Sequence, residues 1–172
     1  MRLDILMYPD PRLRQICAPV TEITPEIRNL AADMLETMYA APGVGLAAPQ
    51  VGHFIRMLVM DVAGNEAEKS PRILINPVLE LFGDDVVSER EGCLSVPMLY
   101  RADIHRKSGV RLSAQDIDGN DVQEILEGFP AIVVQHEIEH LDGILFIDHL
   151  TRLRRSLFDA KVKKWLRQRN AD

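Results

Sequence analysis

Apolar residues recur at helical spacing over 24–41. Ile27, Leu30, Ala31, Met34, Leu35 and Met38 fall on one face. Thr24 can cap this helix, Pro25 suits its first position and Glu26 its positive end, and Pro42-Gly43 stop it. The loop GVGLAAPQVGHF then leads into IRMLVMDV (55–62), an unbroken apolar run that reads as a buried strand. After the polar loop AGNEAEKSP, the segments RILIN and PVLELFG (72–83) read as strands broken by Pro77. GVRLSAQD and VQEIL flank the turn signal DGN, which predicts a hairpin over 109–126. Gly128 and Pro130 open a second helix that runs to about Leu141, with Gly143 as its stop. A third, over 151–169, carries Leu150, Leu153, Leu157, Val162, Trp165 and Leu166 as its apolar stripe. Helix, strands, helix, helix is an α+β order with mostly antiparallel pairing. It implies one domain over 1–150 and a basic amphipathic helix over 151–172, packed on it or extending from it.

The second helix is not simply amphipathic. Residues 131–134 are apolar without a break, and then His136, Glu137 and His140 share a face with Val133. This is the H-E-x-x-H spacing of zinc hydrolases, which puts two imidazoles on one side of a helix beside a carboxylate. A buried polar face needs partners, and a metal ion supplies them. A catalytic centre also needs a third protein ligand and an open position for water. Downstream, the sixth residue after His140 is Phe146, which cannot ligate, and no Glu follows Glu139. Asp148, His149 and Asp159 sit in no ligand pattern, and His149 reads as an ordinary surface residue. Upstream, Cys93 lies in EGCLSVP, where Gly92 permits close approach of the backbone. A thiolate beside two neutral imidazoles is a sound ligand set for a divalent ion. Cys17, in RQICAPV, reads as a small buried hydrophobe.

Charge narrows the range of partners. The net charge of −6 over 172 residues argues against a nucleic-acid-binding body and gives no expectation of DNA. The longest apolar runs are too short to span a bilayer, so no membrane partner is expected. The opening MRLDILMYPDPRLRQ lacks the apolar core of a secretory signal. The exception to the acidity is the third helix, where Arg152, Arg154, Arg155, Lys161, Lys163, Lys164, Arg167 and Arg169 face a single acid, Asp159.

Three segments together, GVGLAAPQ (43–50), EGCLSVP (91–97) and QHEIEHLDG (135–143), resemble the three motifs of bacterial peptide deformylases in order and spacing. MYPDPRLRQ and ETMYAAPG add to the likeness, which spans nearly the whole chain. The resemblance implies antiparallel sheets around a central helix that carries both histidines. It implies hydrolysis of the N-formyl group from formyl-methionine on new polypeptides. It implies one divalent ion, characteristically Fe(II), often replaced by Zn, Ni or Co in preparations. By position, Cys93, His136 and His140 match the ligands and Glu137 the catalytic acid/base. Gln50 and the N–H of Leu94 match the oxyanion donors, and Gly45 a backbone contact to the substrate chain. Val44, Ile132 and Val133, with Phe129 beside them, match the lining of a methionine pocket. In bacterial members the basic C-terminal helix docks at the ribosome near the nascent-chain exit. The location implied is the bacterial cytoplasm, or an organelle if a transit peptide has been removed.

One position departs from the pattern, Glu139 where the family usually has Asp. That carboxylate is expected to pair with an arginine, for which Arg106 is the candidate. Two rival readings exist. One is an H-E-x-x-H metallopeptidase acting on unformylated peptides. The other is a non-catalytic binding protein with a structural metal, closed by Glu91 or His105 as a fourth ligand.

Overall fold

The computed structural model describes residues 1–64 and 68–171; residues 65–67 of the polar loop AGNEAEKSP lie outside them. Among the described residues, five strands form one antiparallel sheet in the order β1-β2-β3-β4-β5. These are β1 (Gly45–Ala47), β2 (Met57–Met60), β3 (Arg72–Glu91), β4 (Ala102–Gln115) and β5 (Asp121–Glu127). The helices are α1 (Pro25–Ala40), α2 (Phe129–Leu141) and α3 (Arg152–Arg169). None is long and apolar enough to cross a membrane. The α+β class is as the sequence implied. Thr24 caps α1 by accepting from the Ile27 N–H.

Three readings of the strands change. GVGLA is not all loop, since Gly45–Ala47 pair with Met60–Leu58 of β2 as a short edge strand. Pro77 does not separate two strands. The register shifts between Ile75 and Val78, so Pro77 sits in a β-bulge, where no ladder N–H is required of it. Two strands are longer than read: β4 of the hairpin begins at Ala102 rather than Gly109, and β3 continues past Gly83 to Glu91. The outer part of β3 carries exposed charges in adjacent pairs, Asp84-Asp85 and Glu89-Arg90, which hides the strand period from an apolar scan. The shifts at Ile75/Val78, Phe82/Asp85 and Ser88/Glu91 each contain a positive-φ residue, Asn76, Gly83 and Arg90. Each bulge bends the strand, and together they carry β3 from its pairing with β2 round to the loop that bears Cys93.

The apolar face of α2 packs on the sheet through Ala131, Val133, Val134 and Leu141, against Leu58, Met60, Leu74, Val110 and Leu112. α1 covers β1 and β2 with Leu30, Ala31, Met34 and Met38. α3 docks through Phe158 and Val162 on Leu13, Ile104, Phe146 and Ile147, with Leu150 and Leu166 partly covered. The predicted stripe is therefore partly wrong. Leu153 and Leu157 are exposed, and Phe158, absent from it, is the buried anchor. At 100° per residue, Phe158, Val162 and Leu166 share one face, whereas Leu153 and Leu157 lie 100° or more around the helix.

Candidate metal centre and substrate cleft

α2 is the platform. Its buried Gln135 donates to the Lys107 carbonyl (2.9 Å) and accepts from the Lys107 N–H (3.1 Å), so its amide pairs with β4 as a strand would. This fixes the rotation of α2 and turns His136, Glu137 and His140 to the opposite side. Gly143 ends the platform at φ +72°, where a Cβ would lie 2.8 Å from the Arg14 carbonyl carbon. The close approach and the left-handed backbone both call for glycine.

Cys93, in the loop after β3, lies over the two histidines. One donor atom from each of Cys93, His136 and His140 lies within 4.8 Å of the others, with Cys93 Sγ 3.3 Å from His140 Nε2. Burial and the neighbouring His136 push His140 well below the ordinary imidazole range, which favours the uncharged ring that metal ligation requires. Burial opposes a charged His136, but hydrogen bonds to Cys93 and Glu91 outweigh it and raise its proton affinity. A cation at that place would be held by the same groups. The donor set thus fits a single divalent ion. Neither candidate for a fourth ligand closes it. His105 is exposed on β4, and Glu91 is turned away, held by Arg106 Nε at 3.0 Å and Nη2 at 2.5 Å while facing His136 Nδ1 at 2.7 Å.

Glu137 is buried beside this cluster. Its Oε2 has no partner among the described residues, and burial pushes its carboxyl up to about 7. Gly45 is packed against it: a Cβ there would lie 2.8 Å from Glu137 Cγ. Gln50 sits on a 3-10 turn after β1 and is 1% exposed. Its Oε1 accepts from the Ala47 N–H (2.8 Å), which commits the NH2 to the site, 3.0 Å from Ser95 Oγ and 3.5 Å from Cys93 Sγ. A cleft of about 680 Å³ opens over these groups, lined by Val44, Gly45, Gln50, Leu94, Phe129, Ile132, Val133 and Glu137. Val133 forms its buried floor, and Val44 and Phe129 its exposed rim.

The sequence reading overlooked several contributors. Glu91 is the partner of His136 rather than a ligand, a role hinted at by its position two residues before Cys93. Ser95, wholly buried, orients Gln50. Arg106 does reach Glu139, at 3.0 Å. His149, expected to be an ordinary surface side chain, bonds the same carboxylate at 2.8 Å. Cys17 is buried as expected, and burial pushes its thiol up to about 11.

The chain as a whole is similar to known proteins. Residues 2–156 match the family model described as polypeptide deformylase. The chain is 49% identical to the peptide deformylase of Alkalilimnicola ehrlichii, covering 96% of this chain and 92% of that one. It is 48% identical to that of Psychrobacter arcticus, covering 97% and 89%. A crystal structure of a peptide deformylase from Legionella pneumophila superposes with a TM-score of 0.89 at 37% identity, covering 100% of this chain and 99% of that one.

Proposed function

Since the chain belongs to the polypeptide deformylase family, its activity is hydrolysis of the N-formyl group from formyl-methionine on new polypeptides, and we propose that Cys93, His136 and His140 hold the metal ion while Glu137 moves the proton. The observation that carries this is the convergence of three donor atoms beside a buried carboxyl on the floor of one cleft. A bound divalent ion supplies a Lewis acid and brings the pKa of water toward neutrality. Glu137 takes the proton from the attacking water and returns it to the leaving amine, a task suited to a carboxyl whose burial holds it near 7. The Gln50 NH2, fixed by Ala47 and Ser95, and the Leu94 N–H donate to the oxyanion. Val44, Ile132, Val133 and Phe129 receive the methionine side chain, and Gly45 admits the peptide backbone next to Glu137.

Iron(II) is the ion proposed, on the family resemblance; the donor set would also accept zinc, nickel or cobalt. The test is formate release from a formyl-Met peptide by anaerobically purified protein, with metal analysis alongside. Release that decays in air supports the iron enzyme. Cleavage of unformylated peptide bonds in place of formate release would overturn the reading.

A second proposal concerns α3. Leu153 and Leu157 are exposed beside Arg154 and Lys161, a surface fit to dock on the ribosome in the bacterial cytoplasm, where formylated chains emerge. Removing the helix would also strip Phe158 and Val162 from the core, so charge reversal is the cleaner test. Arg154→Glu with Lys161→Glu should abolish salt-sensitive ribosome binding and leave peptide deformylation intact; unchanged binding would reject the site.

A further inference from the structure

Of the two acids on α2, Glu137 faces the cleft and Glu139 does not. Glu139 instead belongs to a continuous line of polar and charged side chains, one place in from its outer end. Its Oε1 accepts from His149 Nε2 at 2.8 Å and from Arg106 Nη1 at 3.0 Å, and its Oε2 from Arg106 Nη2 at 3.3 Å. The other side of the same guanidinium grips Glu91, through Nε at 3.0 Å and Nη2 at 2.5 Å. Glu91 Oε1 then meets His136 Nδ1 at 2.7 Å. The line runs outward from the core: side-chain exposure is 6% at Glu91, 2% at Arg106, 19% at Glu139 and 39% at His149.

We propose that His149 is a positioning residue for the metal ligand His136, acting through Glu139, Arg106 and Glu91. The guanidinium is a rigid planar fork, so it cannot turn toward one carboxylate without leaving the other. Its orientation is therefore set by where Glu91 and Glu139 hold it. Glu91 is walled in, but Glu139 borders solvent and owes its position to a second donor. His149 is that donor, delivered by a 3-10 turn (Phe146–His149) whose Phe146 and Ile147 are buried. The acceptor on the far nitrogen of a ligating imidazole fixes the ring and tunes its basicity, so disorder at Glu139 reaches the metal through Glu91. The length of Glu139 matters as well. A carboxylate drawn back by one carbon–carbon bond of about 1.5 Å cannot hold both His149 and Arg106 at these distances.

This inference rests on the reading of His136 as a ligand. The experiment loads the full chain with nickel(II) and follows transfer of the metal to a competing chelator, for His149→Ala and His149→Gln in the Glu139 and Glu139→Asp backgrounds. Direct outer partners of a ligand are worth roughly 10- to 100-fold in metal affinity, and a partner four contacts away less, so His149→Ala should speed release about fivefold. His149→Gln, which keeps an N–H donor, should return release to within about twofold of the unaltered chain. In the Glu139→Asp background, His149→Ala should change the rate by less than about twofold. Unchanged release in His149→Ala, failure of the Gln variant to rescue, or an equal effect in the Glu139→Asp background would overturn the proposal. A His136→Ala chain that keeps its metal would remove the ligand reading instead, and this inference with it.

Discussion

At the scale of single residues, chemistry and packing make opposite demands on neighbouring side chains. Glu137 is buried without a salt-bridge partner among the described residues, which suits a group that must gain and lose a proton; at Glu91 and Glu139, close by, burial is outweighed by Arg106 and His136 at the first and by His149 and Arg106 at the second, which lower both carboxyls. Burial works against the charged form of Glu91, but Arg106 and His136 outweigh it and hold it down to about 2. Glu137→Gln keeps the size of the side chain and removes the proton carrier. It should retain the metal and lose formate release by about 10³-fold; turnover within a few fold of the unaltered chain would remove Glu137 from the mechanism. Gly45→Ala should also impair turnover, because its Cβ would displace the Glu137 side chain while leaving the three donor atoms in place. Equal loss of metal and activity in that variant would mean that the helix, rather than the carboxylate, had moved.

At the scale of elements, α3 tests how far packing depends on one face. Phe158→Ala removes the anchor between α3 and the Tyr8, Tyr100 and Phe146 rings, and should cost about 3–5 kcal/mol in urea unfolding. Leu153→Ala, on the exposed face, should cost less than about 0.5 kcal/mol. Similar costs for the two would restore the stripe read from the sequence. That stripe failed because a helix whose apolar residues are scattered among Arg and Lys offers more than one plausible apolar face, and only the partner surface selects among them. α1 and α2 were legible, since caps and helix stops are written in adjacent residues: Thr24-Pro25 at one start, Gly143 at one end. The outer halves of β3 and β4 were not, because exposed charges break the apolar alternation and pairing between distant segments holds them. The same contrast applies at the candidate site. H-E-x-x-H and EGCLSVP announce metal chemistry by spacing, whereas the links from Glu91 to His136 and from His149 to Glu139 exist only after folding joins β3, β4 and the turn that follows α2.

At the scale of the whole molecule, the N-terminal segment, the turn after α2 and α3 are tied together at Asp148, which takes Arg14 at 2.5 Å and Arg155 at 2.7 Å. Burial opposes the Asp148 charge, but Arg14, the Leu145 N–H and Arg155 outweigh it and hold the carboxyl below its ordinary value of 3.8. A depressed folded pKa means that the unfolded chain takes up the proton first, so this stabilisation is complete above the ordinary value and is lost as pH falls through the depressed one. Asp148→Asn should therefore be less stable than the unaltered chain at neutral pH, with the gap narrowing from about pH 5 downward in urea titrations. A gap independent of pH would assign the loss to packing alone. Bulged β3, the cover of α1 and this tie all serve to bring Cys93 over α2, and the central claim is that the three donors there hold the ion on which deformylation depends. The most direct measurement is metal content, together with formate release from a formyl-Met peptide, in Cys93→Ala purified beside the unaltered protein without oxygen. The account predicts about one ion per unaltered chain, with ion and activity lost together in the variant while its far-UV spectrum is unchanged. A folded Cys93→Ala protein with a full complement of metal would contradict it.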